Sequence, residues 1–169
     1  MTVEDKRVQE MTRRDWFGLA GFFLLSFAVS GVGGAITATS VGNWYQTLER
    51  SVFSPPDWVF GPVWTTLFIF MAIAAWRVWR QEASQARSRA LAVYGVQLAL
   101  NLLWSALFFG LQQIGWSLVE IVILLLVIVV NTVLFWRLDR LAGLLFVPYA
   151  AWVAFATLLT GSLWVLNSP

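Results

Sequence analysis

The chain carries 11 tryptophans but neither histidine nor cysteine. That removes imidazole proton shuttling, thiolate chemistry, disulfides and the usual ligands of zinc, copper and haem iron. No metal site is expected, and no acid/base dyad or nucleophile constellation suggests hydrolysis or group transfer, so no catalytic residue is assigned. What remains is flat aromatic surface with a few neutral polar groups beside it. Trp44, Trp58, Trp64, Trp104 and Trp152, together with Gln97 and Asn101, lie in or against long apolar segments. Many π-faces with few hydrogen-bonding groups are what a slot for a flat, apolar ligand requires.

The elements that must hold these residues follow from composition. Of 169 residues, 59% are hydrophobic and 12% charged, with a mean hydropathy of +0.73. That is too little polar surface to coat a soluble globule of this size. Five uncharged runs are long enough to cross a bilayer as helices, about 20 residues each. They cover roughly 16–39, 58–76, 90–110, 116–136 and 141–166. A barrel strand would alternate polar and apolar residues, and "EIVILLLVIVVNTVLF" does not. The expectation is an all-α integral membrane protein: one domain over 1–169, a five-transmembrane-helix bundle, with a Pro/Trp-rich loop between the first two spans.

Charge gives the orientation. Lys6, Arg7, Arg13 and Arg14 precede the first span, Arg77, Arg80, Arg87 and Arg89 follow the second, and Arg137 and Arg140 follow the fourth. Only Arg50 lies on the other side. By the positive-inside rule the N-terminus, with its charged segment 1–15, is cytoplasmic and the loop from Ser40 to Asp57 faces outward. The first apolar run exceeds the 7 to 15 residues of a signal-peptide core, which argues against cleavage after "AITATS". The partner implied is the lipid bilayer, and no nucleic acid is expected.

Depth then sorts the tryptophans. Trp16, Trp76, Trp79, Trp116, Trp136 and Trp164 lie near span ends, where an interfacial belt is expected. Trp44 is in the loop and Trp58 at the mouth of the second span. Trp64 lies ~9 Å below the outer end of its helix, Trp104 ~9 Å below Gly110, and Trp152 near mid-bilayer. Gln97 and Asn101 are one turn apart, continued on the same face by Trp104 and Ser105. Glu120 sits one turn below Trp116, and Asn131 reads as structural. On the fifth span Pro148, Trp152, Ala156 and Leu159 form one stripe, and small Ala156 leaves room beside the Trp152 ring.

In the loop, Pro55-Pro56 stiffen the approach to the second span, Asp57 stands where an N-cap belongs, and Pro62 needs its freed carbonyl satisfied by neighbours. A stiff loop longer than the usual bundle connection suggests a lid, made with Trp44, Pro55 and Pro56. On the third span Gly95-x-x-x-Ala99, extended by Ala92, offers a small-residue face for a dimer.

The block "WYQTLERSVFSPPDWVFGPVWTTLF" resembles the W-Y-x-x-L-x-K-P-x-x-x-P-P-x-W-V-F-x-x-V-W signature of the tryptophan-rich sensory protein / translocator protein (TspO/MBR, peripheral-type benzodiazepine receptor) family. "QLALNLLWSALFFG" and "FVPYAAWVAFATLLTGSLWVLN" resemble its other two blocks. The resemblance implies a five-helix bundle, usually a homodimer, that binds tetrapyrroles such as protoporphyrin IX. It places the family's ligand-binding tryptophans on Trp64 and Trp152, its loop tyrosine on Tyr45, its asparagine on Asn101 and its small position on Ala156. Ser51 and Arg50 replace the usual Pro and Lys, so the first half of the loop is expected to be looser, and Thr160 replaces the usual Asn. Gly161 and Val165 stand where the sterol pattern of animal members needs Tyr and Arg, so sterol binding is not carried over.

The expected function is that of a multi-pass receptor or regulator in a bacterial cytoplasmic membrane. It binds a tetrapyrrole against Tyr45, Trp58, Trp64, Asn101, Trp104, Trp152 and Ala156. No cofactor is obligatory, and free-base porphyrin is favoured over haem because, without His, Cys or Met placed for it, a bound metalloporphyrin has no strong axial ligand. The alternatives are light-dependent porphyrin degradation and tetrapyrrole transport. No inverted repeat and almost no intramembrane charge speak for transport.

Overall fold

The computed structural model describes residues 11–167. Residues 1–10 of the charged N-terminal segment lie outside them. Six α-helices follow in chain order: α1 (Arg13–Ala38), α2 (Trp44–Thr47), α3 (Phe60–Trp79), α4 (Gln85–Ser105), α5 (Ile114–Leu138) and α6 (Arg140–Asn167). α2 is a single turn inside the first loop. The other five are long and apolar enough to cross a membrane, so the chain is an integral multi-pass bundle.

Several helix ends lie a few residues beyond the hydrophobic stretch read from sequence, where polar caps extend them. Thr12 and Asp15 form a reciprocal capping box at the start of α1. Ser84 accepts from the Arg87 amide at 3.1 Å and begins α4 six residues before its apolar run. Asp139 accepts from the amides of Leu141 and Ala142 and also pairs with Arg77 at 2.8 Å. One carboxylate thereby starts α6 and ties the α5–α6 turn to α3.

The five long helices close into a ring in the order α1–α3–α6–α5–α4. α5 and α6 are the most tightly joined pair. A Cβ on Gly143 would lie 2.6 Å from the Cβ of Trp136, so only glycine permits that approach. At the arginine-bearing end the ring is filled: Met71, Val78, Tyr94, Phe135 and Phe146 are essentially inaccessible. Leu24 and Leu25 on α1 and Leu126 and Val130 on α5 stand exposed on the outside, as lipid-facing residues do.

Two tryptophans placed in the belt by position are not on the surface. Trp76 is buried, its indole N–H donating to the Asp15 carbonyl at 2.8 Å, and Trp79 is half-buried beside Phe22 under the Arg14 guanidinium. α1 packs across the end of α3 and covers both. Trp16, Trp116, Trp136 and Trp164 are exposed. Pro62 needs no neighbour to rescue a carbonyl, because it falls in the first turn of α3, where backbone donors lack intrahelical partners anyway.

Candidate functional site

The opposite half of the ring is hollow. Between α1, α3, α4 and α6, at the end that carries the first loop, lies a cavity of about 450 Å³, within the range of small-molecule sites. α3 contributes Phe60, Trp64 and Phe68; α4 gives Asn101, Trp104 and Ser105, and the turn that follows it gives Phe108 and Phe109; α6 gives Trp152, Ala156, Leu159, Thr160 and Leu163. Among the described residues none of the walls comes from α5.

The α1 wall is Val29, Ser30, Gly33, Gly34, Thr37 and Ala38. These small residues were not singled out as site residues, although the run "SGVGGAIT" is the signal: bulky side chains there would fill the slot. At Gly33 an added Cβ would already sit 3.3 Å from Ser105 Oγ.

α4 is continued by a widened π-helical turn, Ala106–Gly110, followed by Gln112 at φ 57°. The turn gathers Trp104, Phe108 and Phe109. Trp104 and Phe108 stack at 5.1 Å between centroids, and Phe108 meets Phe109 edge-on at 4.8 Å. π-turns of this kind often sit at functional sites, where they re-aim side chains.

The first loop closes over this cluster. Tyr45, from α2, is buried and borders the cavity, its ring 6.2 Å from Phe108. Burial pushes its phenol pKa up, against the opposing pull of Arg50, so Tyr45 is a neutral group at physiological pH. Trp44 does not border the cavity; it backs Phe108 edge-on at 5.5 Å. Pro55 and Pro56 deliver the chain to the wall without lining it, Pro56 in extended geometry.

The first half of the loop, expected to be looser, is held by specific bonds. Asp57 pairs with Arg50 at 3.0 Å and accepts from Gln46 at 2.8 Å, while Asn167 brackets Glu49. Asp57 therefore does not cap a helix; its carboxylate is spent on the loop.

Trp58 is the site residue the structure does not bring in. It is 75% exposed and does not border the cavity. Asp57–Val59 form a 3-10 turn rather than the start of an α-helix. That tighter winding turns Trp58 outward and brings Phe60 inward, where it packs edge-on to Trp152 at 5.8 Å. Phe60 takes the place foreseen for Trp58. Pro148 likewise leaves the stripe of Trp152, Ala156 and Leu159 and lines an outer groove with Pro62 and Phe70.

The polar inventory of the cavity is small. The indole N–H groups of Trp104 and Trp152 are buried and unpartnered. Thr160 spends its hydroxyl on the Ala156 carbonyl at 2.8 Å. Asn101 donates from Nδ2 to the Tyr149 hydroxyl at 3.1 Å, and Tyr149 donates to Gln97 Oε1 at 2.9 Å. Tyr149 was missed by sequence reasoning; its signal is a phenol within an otherwise apolar helix, where it must find a partner. Glu120 and Asn131 are buried away from the cavity, and both oxygens of Glu120 lack protein partners.

The sequence profile of the TspO/MBR family matches residues 22–165, most of the chain and every cavity wall. The chain belongs to the TspO/MBR family. Protein CrtK of Rhodobacter capsulatus is 40% identical over 154 residues, covering 88% of this chain and 92% of that protein. The tryptophan-rich protein TspO of Archaeoglobus fulgidus is 37% identical over 150 residues, 89% of this chain and 97% of its own length. The human translocator protein is 34% identical over 151 residues, 88% and 89% respectively. In this TspO/MBR protein the run Pro55-Pro56-Asp57-Trp58 leads into the 3-10 turn that precedes α3.

Proposed function

We propose that this TspO/MBR protein is a membrane receptor or regulator that binds a tetrapyrrole of the protoporphyrin IX type in the hollow half of its bundle. The observation that carries the reading is convergence. Trp64, Trp104 and Trp152, from three different helices, border one cavity with Tyr45 at its loop end and Ala156 leaving space between the rings. Aromatic walls with few polar groups suit a flat macrocycle that partitions into lipid. Free-base porphyrin is preferred to haem, because the walls hold no His, Cys or Met to ligate its iron.

The loop end faces outward and the arginine-bearing end faces the cytoplasm, in a bacterial cytoplasmic membrane. A homodimer forms through α4, where Ala92, Gly95 and Ala99 stand exposed in the single chain. Nothing approaches within 4 Å of a Cβ placed on Gly95.

Light-driven oxidative breakdown of the bound porphyrin is the second reading, favoured by Trp152, whose indole borders the cavity and could accept an electron or oxygen. Relatives named tryptophan-rich sensory protein and translocator protein leave sensing and transport as the roles of binding. The test is absorbance of protoporphyrin IX with the purified protein, dark and illuminated. Dark binding without loss supports the receptor, light-dependent loss supports degradation, and no binding in the dark sinks both.

A further inference from the structure

Below Asn101 the bundle holds a hydrogen-bonded relay whose direction can be read from chemistry. Met71 is fully buried, and its thioether can only accept. Gln97, also fully buried, lies with its amide nitrogen 3.7 Å from that sulfur. Turning the Gln97 amide over would set two acceptors against each other, so Nε2 faces Met71 and Oε1 faces Tyr149. Tyr149 must then donate to Gln97 Oε1, at 2.9 Å, and its oxygen accepts from Asn101 Nδ2, at 3.1 Å. Tyr149 is itself inaccessible and wedged against the Trp64 ring at 6.2 Å. Each link fixes the next.

The consequence falls on the last atom. With Nδ2 committed to Tyr149, Asn101 Oδ1 has no protein partner, yet it is not among the buried unpartnered atoms. Asn101 borders the cavity, so a carbonyl-type oxygen is held open to it and polarised by the chain of bonds behind it.

We propose that Asn101 Oδ1 is an axial-ligand position for the central metal of a magnesium or zinc tetrapyrrole, oriented by Tyr149, Gln97 and Met71. A carboxamide oxygen is a hard donor that suits magnesium and is accepted by zinc, whereas haem iron is served by imidazole, thiolate, thioether or phenolate ligands. Thr37, Thr65 and Thr160 on the walls bond back to their own helix carbonyls, and a carboxamide oxygen is a better donor to a hard metal than the remaining neutral hydroxyls of Ser30, Ser105 and Tyr45. The inference rests on the tetrapyrrole reading above and narrows it from porphyrins in general to those carrying a hard, five-coordinate metal. Tyr149 acts here as a positioning residue, through Asn101 and not by touching the ligand.

Zinc protoporphyrin IX and free-base protoporphyrin IX, titrated in the dark in non-coordinating detergent, separate the two ideas. The parent protein should shift the zinc Soret band to the red, as a fifth ligand does, and should favour the zinc compound. Tyr149→Phe should lower the zinc-to-free-base affinity ratio roughly tenfold, the usual effect of removing a partner that orients a metal ligand. Asn101→Leu should abolish the Soret shift. If both compounds bind but the Soret position and the affinity ratio are the same in the parent, Asn101→Leu and Tyr149→Phe, axial ligation is wrong while the tetrapyrrole site stands. If neither compound binds the parent, both ideas fall.

Discussion

Asn167 and Glu49, 118 positions apart, are joined by two hydrogen bonds: the Glu49 amide donates to Asn167 Oδ1 at 2.9 Å, and Asn167 Nδ2 donates to the Glu49 carbonyl at 3.0 Å. A side-chain amide thus pairs with a backbone peptide much as a neighbouring strand would. It fastens the first loop to the end of α6, directly over the cavity that α6 helps to line. If the loop is a lid, this is its latch.

Asn167→Ala should loosen the loop without disturbing the helices. Loss of two bonds, each worth about 0.5 to 1.5 kcal/mol, corresponds to roughly a five- to 150-fold rise in the open population. Proteolysis within 41–56 of the purified protein measures it. An unchanged cleavage rate would assign loop closure to the Arg50–Asp57 pair alone.

Glu120, on α5, is buried with both oxygens unpartnered. An unsatisfied buried polar group costs about 1 to 3 kcal/mol, and an apolar replacement of similar shape relieves it. Glu120→Met should therefore raise the melting temperature in detergent. A lowered one would show that the carboxyl has a partner the bundle alone does not supply.

The five spans were legible in the sequence because the bilayer imposes their length and apolarity, whatever packs inside. The convergence of Trp64, Trp104, Trp152, Asn101 and Ala156 was legible too, since depth follows from rise per residue and span ends are marked by charge. Local winding was not. Trp58 was lost and Phe60 missed because a 3-10 turn and an α-turn differ by hydrogen bonding, not by composition. The α1 wall escaped because glycine contributes through what it leaves out. Tyr149 escaped because its role depends on two amides that reach it from another helix.

Gly95→Leu should give monomers in crosslinking while the bundle remains folded, since Gly95 is exposed and a Cβ placed there meets nothing within 4 Å in the same chain. In the dimer proposed through α4 it would stand between close-packed backbones. A dimer that persists would move the interface to another helix.

Topology is open to a labelling test. Gln46 lies in α2 at the loop end, and a cysteine introduced there should react with an impermeant maleimide only from outside intact cells. Labelling only from the cytoplasmic side would invert the bundle.

The central claim is that a flat ligand occupies the slot beside Trp152 and Ala156, and the most direct measurement is a dark titration of tryptophan fluorescence with protoporphyrin IX. The parent protein should show saturable quenching. Ala156→Phe adds volume to a wall where overpacking costs about 1 to 3 kcal/mol, and should weaken binding about five- to 150-fold with fold retained. Trp152→Phe, which keeps an aromatic face, should weaken it less. Equal affinity in the parent and Ala156→Phe would contradict the account, leaving the first loop as a cap over a cavity that no porphyrin enters.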